Sequence, residues 1–486
     1  MTERTVTTRS DTARRTTAAT VEPQAVRRPN LALAIIVTCQ LMLLLDATVV
    51  TVALPRIQTD LHFSATSLSW VMNSYTLVFG GLLLLGGRAG DVLGRRRMFI
   101  AGTALFGIAS LAGGFAESSA WLIAARVAQG LGAAMAGPST IALLMSTFTD
   151  PRARVRALAL FSGMASAGLA IGLILGGLLT AWTSWRAVLF INVPLALAIG
   201  LLAPRFVPSP ERHPAKLDLP GAITGTGGVA ALVYAFIHAA SDGWGNRTTL
   251  TAFAAGVLLL AGFVVIELRT RQPLTPLHLF ADRNRAAAYL NFFLGPMAMM
   301  AMFFFLTQYL QEVKGFGSLT TGLAMLPMAA MLFVATRLLS RLIARFGPKP
   351  LIITGGVFTV AAIGWLTQLT PTSGYAGSVL GPMLLAGLGV GLGFSPLNVV
   401  IMSTVPAKDS AAAGGVLQTM QQVGATLGLA VLVTVFSAGS RHAAATGANP
   451  QHALVAGMTN AFMIATIVAA VTIVVALTFR RQPKQP

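Results

Sequence analysis

Apolar residues in this chain come in long blocks, separated by short breaks that carry glycine, proline and arginine. A helix rises about 1.5 Å per residue, so roughly 20 apolar residues cross the hydrocarbon of a bilayer. About fourteen blocks meet that length. They lie at residues 31–55, 67–86, 98–116, 120–148, 157–181, 187–204, 219–239, 250–268, 286–310, 319–338, 350–370, 377–402, 412–437 and 455–478. The pattern predicts an all-α integral membrane protein. Residues 1–28 are rich in Thr, Ala and Arg and have little to bury, which predicts a disordered tail. Residues 480–486 form a second short tail.

A weak repeat organises the blocks. Arg88–Gly102 aligns without gaps to Arg341–Gly355, matching Arg88 to Arg341, Gly94 to Gly347, Arg96 to Lys349 and Gly102 to Gly355. One copy follows span 2 and the other follows span 10. The expected build is an N-terminal six-helix bundle (29–205), an inserted two-helix hairpin with its linkers (206–285) and a C-terminal six-helix bundle (286–479). Duplicated halves related by an axis along the membrane normal are the build of rocking secondary transporters.

Composition agrees with the pattern. Of 486 residues, 55% are hydrophobic and 10% charged, against about 25% charged in soluble domains. Mean hydropathy is +0.74. The first apolar block is too long for the core of a cleavable signal peptide. A net charge of +19 raises nucleic acid as a partner. That is rejected, because the basic residues are scattered through short loops rather than gathered in a stripe. With the N-terminus inside, the inner segments hold roughly 28 Lys and Arg, and the outer ones only Arg56, Arg186, Arg247, Lys314 and Arg441. Both termini are therefore expected in the cytoplasm. Cys39, the one cysteine, reads as a small buried hydrophobe.

The chemistry concentrates in Leu31–Pro55, where Asp46 is the only charge. An ionised carboxylate in hydrocarbon costs several kcal/mol or more, so such an acid faces a cavity or a partner. Burial disfavours its charged form and makes it a candidate proton carrier. The competing reading is a structural acid that never titrates. A side chain against lipid, or sealed in a pairing away from any vestibule, would count against the carrier. Arg126 is the one basic residue deep in a span, and it needs an anion, carbonyls or water. A structural pair with Asp46 fits. Gln129, one turn along, extends the polar patch. Thr48 reads as a local hydroxyl satisfying backbone or solute.

Gly168, Gly172, Gly176 and Gly177 in span 5 give small-residue spacing that serves a hinge or close packing equally well. Gln418, Gln421 and Gln422 are polar at membrane depth, so they should face the interior. Met299 and Met302, running into Phe303, suit an adaptable drug cavity, with packed core as the bland reading. Asp60, Glu117, Glu267 and Glu312 fall at helix ends and read as interfacial. No phosphate-binding loop, zinc-protease pair or nucleophile elbow is present, so neither ATP use nor enzymology is indicated, and no cofactor is expected.

Several segments resemble a known family. Gly87-Arg88-Ala89-Gly90-Asp91-Val92-Leu93-Gly94-Arg95-Arg96-Arg97 is similar to the loop 2–3 signature of the major facilitator superfamily. Leu45-Asp46-Ala47-Thr48-Val49-Val50-Thr51-Val52-Ala53-Leu54-Pro55 resembles the first-helix motif of its fourteen-span drug:proton antiporter branch. Trp70, Tyr75, Gln129-Gly130, Trp185-Arg186, Asn192-Val193-Pro194 and Leu217-Asp218-Leu219-Pro220-Gly221 fit the same branch. Two positions depart from it. Thr51 stands where the family has Asn, and Leu173 where its span 5 motif has Pro.

The resemblance implies a major facilitator fold and a proton-coupled multidrug or antibiotic efflux transporter in a bacterial plasma membrane. Asp46 and Arg126 would couple protons. Gly87, Arg88, Gly90, Asp91, Gly94, Arg95 and Arg96 would form a latch that breaks during transport. Thr48, Gln129, Met299, Met302, Phe303, Gln418, Gln421 and Gln422 would be substrate-cavity candidates. The expected partners are a lipophilic or cationic drug, protons and the lipid bilayer, with the chain a monomer. One obvious intramembrane acid points to neutral or monocationic solutes. A transporter of an endogenous metabolite or lipid, and a channel, are the alternatives.

Overall fold

A computed structural model describes residues 28–479, apart from 65, 149, 211–216, 271 and 406–408. Both expected tails lie outside the described residues, save for Arg28. The helices are α1 (Pro29–Asp60), α2 (Ser69–Leu93), α3 (Arg95–Gly114), α4 (Ser119–Thr147), α5 (Pro151–Trp182), α6 (Ala187–Phe190), α7 (Asn192–Phe206), α8 (Leu219–Asp242) and α9 (Arg247–Arg269). They continue with α10 (Arg283–Gln308), a π-helical turn (Tyr309–Val313), α11 (Ser318–Phe346), α12 (Pro348–Leu366), α13 (Gly381–Thr404), α14 (Ser410–Ala445) and α15 (Pro450–Leu477). No strand occurs among the described residues.

Thirteen helical segments among the described residues are long and apolar enough to cross a membrane. The apolar part of α5, Ala167–Trp182, occupies the remaining expected position. Expected span 6 is two helices, α6 and α7, with Pro194 in the first turn of α7, where a missing N–H costs nothing. Polar side chains in the breaks start the helices. Ser118 Oγ accepts from Trp121 N, Asp150 from Ala153 N, Asp282 from Arg285 N and Asn449 from His452 N.

Packing repeats along the chain. Helix α1 lies against α4, α5 and α7, while α4 also packs on α2 and α3. In the same order α10 lies against α13, α14 and α15, and α13 also packs on α11 and α12. The aligned residues hold equivalent places. Gly94 joins α2 to α3 at φ 104°, and Gly347 joins α11 to α12 at φ 78°, a backbone region that favours glycine. Arg96 donates to Pro204 O in the last turn of α7 and to Val207 O just after it. Lys349 donates to Leu477 O at the end of α15 and to Phe479 O just after it. The weak repeat is thus a structural one, giving two six-helix bundles with α8 and α9 as an added pair.

The bundles meet along two seams, α2 with α14 and α5 with α11. On the first, Thr426 Oγ1 donates to Thr76 Oγ1 at 2.8 Å and Thr419 Oγ1 to Gly80 O at 3.2 Å. The bundles also touch at the end away from the chain termini. There Gln311 Nε2, in the π turn, donates to Val52 O of α1 at 2.9 Å. A Cβ on Gly177 would stand 2.8 Å from Leu319 Cα. Toward the end that carries the termini, the terminal face, α11 leaves Phe333, Val334, Leu338 and Phe346 exposed.

Candidate functional site

Asp46 sits midway along α1, facing α4 and α7, and is 1% exposed. Arg126 and Gln129 are three residues apart on α4 and so share one face. Arg126 Nη1 donates to Asp46 Oδ2 at 2.5 Å and to Gln129 Oε1 at 3.0 Å. Its Nε donates to the Val71 carbonyl of α2 at 2.9 Å, and its guanidinium lies 4.5 Å from the Tyr75 ring centroid. Asp46 Oδ1 accepts from Gln129 Nε2 and from Asn192 Nδ2, both at 3.0 Å. Gln129 Nε2 also donates to Ser110 Oγ at 2.8 Å. A fully buried ion pair therefore ties four helices, α1, α2, α4 and α7, at one point.

The site differs from the expectation in one respect that matters. Asp46 was expected to face a cavity or a partner. It faces a partner, and the pair is sealed from solvent, with both side chains 0% exposed. In this conformation the side chain is thus sealed in its pairing, the arrangement that counts against a proton carrier. The network is also not saturated. Arg126 Nη2 and Asn192 Oδ1 are buried without a hydrogen-bond partner.

Several expected cavity residues lie elsewhere. Gln129 is fully buried in the charge cluster and lines no cavity. Thr48 Oγ1 donates to Leu44 O and Leu45 O and rests on α5 at Gly172. Met299 and Met302 are buried in the same core cluster as Phe304 and Phe305, with Phe303 half-buried against it, so the bland reading describes them. They are apolar at every turn of α10, and apolarity alone could not separate lining from packing. Gln418, Gln421 and Gln422 are half-buried on α14, and Gln422 lies against Gly80 of α2 on the first seam.

The span 5 glycines pack backbones together. Gly168, Gly172 and Gly176 face Leu44, Thr48 and Val49 of α1, while Gly177 meets Ser318 and Leu319 of α11. The loop after α2 shows no cross-bundle latch among the described residues. Asp91 pairs with Arg95 at 2.5 Å, only four residues on. Arg88 donates to Pro273 O at 2.6 Å, in the linker after α9. Close approach in this loop belongs to Gly86, whose Cβ would strike the Ala134 carbonyl. Gly87 and Gly90 have room for one.

Comparison with known proteins turns on the whole chain. The family model of the Major Facilitator Superfamily matches residues 36–429. The chain belongs to that superfamily. The cephamycin export protein CmcT of Amycolatopsis lactamdurans is 39% identical over 84% of this chain and 85% of its own. The puromycin resistance protein pur8 of Streptomyces alboniger is 40% identical over 83% and 81%. The multidrug efflux pump LfrA of Mycolicibacterium smegmatis is 35% identical over 86% and 83%. Among solved structures, an auto-inhibited POT-family peptide transporter superposes at TM-score 0.68 with 14% identity, over 94% of this chain and 99% of that one. A bacterial homologue of the human lysosomal transporter Spinster, solved inward-facing, gives 0.63 at 18% identity, over 94% and 99%. Those two likenesses concern fold alone. The protein is thus a multi-pass membrane transporter and not an enzyme.

Asn192 is the residue that sequence reasoning passed over. It was noted only as part of the resemblance, yet it donates directly to Asp46. The signal was available, since an amide at membrane depth seeks a polar partner by the same logic that singled out Asp46.

Proposed function

We propose that this superfamily transporter exports lipophilic small molecules, antibiotics among them, in exchange for protons taken up at Asp46. The observation that carries the reading is the Asp46–Arg126 pair, placed where it reports to both seams. Arg126 holds the Val71 carbonyl of α2, and α2 runs on to Thr76 and Gly80 at α14. Asp46 lies on α1, whose Thr48 and Val49 bear on α5, the helix that meets α11. Protonation would remove one charge of the pair and free α2 and α5 to shift together.

The energies are of matching size. Breaking a buried ion pair by neutralising one partner costs about 3–5 kcal/mol. One proton moving down about 100 mV supplies about 2.3 kcal/mol, and each pH unit about 1.4 kcal/mol. A single proton is therefore of the right order to open the pair. No bound cofactor enters the scheme. The relatives named for export of, or resistance to, cephamycin and puromycin support a drug-like solute.

In this reading residues 29–205 and 286–479 rock about their seams, and 206–285 form the inserted hairpin. The roughly 28-to-5 bias of basic residues supports a cytoplasmic terminal face. Drugs, protons and the bilayer are the partners, and the working unit is one chain in a bacterial plasma membrane.

The test is drug accumulation in a sensitive host, with and without an uncoupler, beside Asp46→Asn. Energised cells carrying the wild-type chain should hold less drug, and both the uncoupler and Asp46→Asn should abolish the difference. Equal accumulation with and without the wild-type chain across a broad panel would refute efflux. Wild-type activity in Asp46→Asn would refute Asp46 as the carrier.

A further inference from the structure

A second pair of buried acids lies at the base of the α8–α9 hairpin. Asp218, the residue before α8, is 6% exposed, and Glu267, in the last turn of α9, is 3% exposed. One oxygen of each has a backbone partner. Asp218 Oδ1 accepts from Gly221 N at 2.9 Å, and Glu267 Oε2 from Thr275 N at 2.8 Å. The other oxygens, Asp218 Oδ2 and Glu267 Oε1, are buried with no hydrogen-bond partner. Both reach toward one point. A Cβ on Gly221 would stand 2.6 Å from Oδ2 and 3.0 Å from Oε1. The missing side chain at Gly221 is what lets the two carboxyl groups converge.

We propose that Asp218 and Glu267 share one proton between these oxygens, making the base of the hairpin a protonation site distinct from Asp46. Two buried carboxylates whose free oxygens converge repel, and one bound proton both removes the repulsion and fills the missing hydrogen bond. The ligand is a proton rather than a metal ion, because two free oxygens fall well short of the roughly six to eight a Ca²⁺ takes. No group of three or more metal-ligating side chains occurs among the described residues. The proton comes from water at the terminal face and returns there.

The site bears on the loop after α2. Arg88 donates to Pro273 O, two residues before the Thr275 amide whose N–H Glu267 accepts. With the proton bound, Arg88 keeps the linker carbonyl. With the proton lost, a second negative charge appears beside Arg88 and competes with that carbonyl for the guanidinium. The inserted pair of helices thereby gains a proton-dependent hold on the loop. This inference rests on the geometry of the pair and not on the identity of the solute or on Asp46.

The test is infrared spectroscopy of the purified full-length protein at neutral pH. A protonated carboxyl band sensitive to D₂O is expected. It should persist in Asp46→Asn and be lost or displaced in both Asp218→Asn and Glu267→Gln. A band unchanged by either amide variant, or no band in the wild type, would overturn the proposal. Each amide supplies the donor that the proton supplies, so both variants should fold. Thermal melts against pH give a second readout. Raising the pH strips the shared proton, so the wild-type midpoint should fall on the alkaline side, and Glu267→Gln should flatten that fall. Equal alkaline loss in the two proteins would overturn the proposal as well.

Discussion

The sealed pair at Asp46 makes a stability prediction that its size allows to be tested. In Arg126→Met the carboxylate keeps two neutral donors, Gln129 and Asn192, but loses its counter-charge. In Asp46→Leu the guanidinium keeps the Val71 carbonyl and Gln129, while Nη2, already unpartnered, stays so. Either single change leaves an uncompensated charge at a fully buried position, at a cost of about 3–5 kcal/mol. The double variant leaves no charge and fills the space with apolar atoms of similar volume, so most of that loss should return. Melting of the purified protein, followed for all four chains, closes a double-mutant cycle. Such melts are often irreversible, so the order of the midpoints at one scan rate is the quantity to compare. The expected order is wild type near the double variant, with both singles lower and, since two losses of about 3–5 kcal/mol largely return, a coupling on the order of 6 kcal/mol. A double variant less stable than both singles would refute the account of the pair as mutually compensating charges.

Three smaller predictions follow from single positions. Gly94→Ala and Gly347→Ala put a Cβ on backbone at φ 104° and 78°, so each should cost about 1–2 kcal/mol in melting experiments, and a repeat that is only a sequence coincidence would give unequal losses. Cys39 is fully buried, 3.6 Å from the Thr103 hydroxyl, so a maleimide should label it only after denaturation. Labelling at full rate in native membranes would show that α1 is not packed as described. Gly176→Leu would drive a side chain into the α1 backbone at Val49, and loss of folded protein on size-exclusion chromatography is expected, whereas Gly200→Leu, with open space around it, should be tolerated.

Much of this protein was legible before any coordinates. Block length alone located the helices, because crossing hydrocarbon demands about 20 apolar residues whatever their order. The alignment of Gly94 with Gly347 and of Arg96 with Lys349 was visible as a weak repeat, and each pair proves to do the same job in its bundle. A lone acid and a lone base in separate spans were conspicuous because apolar surroundings leave nothing else for a charge to meet.

What stayed hidden was which side of each helix meets which neighbour. A helix that is apolar all round carries no stripe to orient it, so α10 gave no sign that Met299 and Met302 are packed core and not cavity wall. Tertiary structure alone brought Asn192 and the Val71 carbonyl to the Asp46–Arg126 pair, and Pro273 O to Arg88, across 185 positions of chain. It also decided that the pair is sealed and that Asp218 meets Glu267. The physical reason is that membrane insertion is written in composition, residue by residue, whereas polar recognition inside the bundle depends on helix rotation and on backbone carbonyls, which every residue type carries alike.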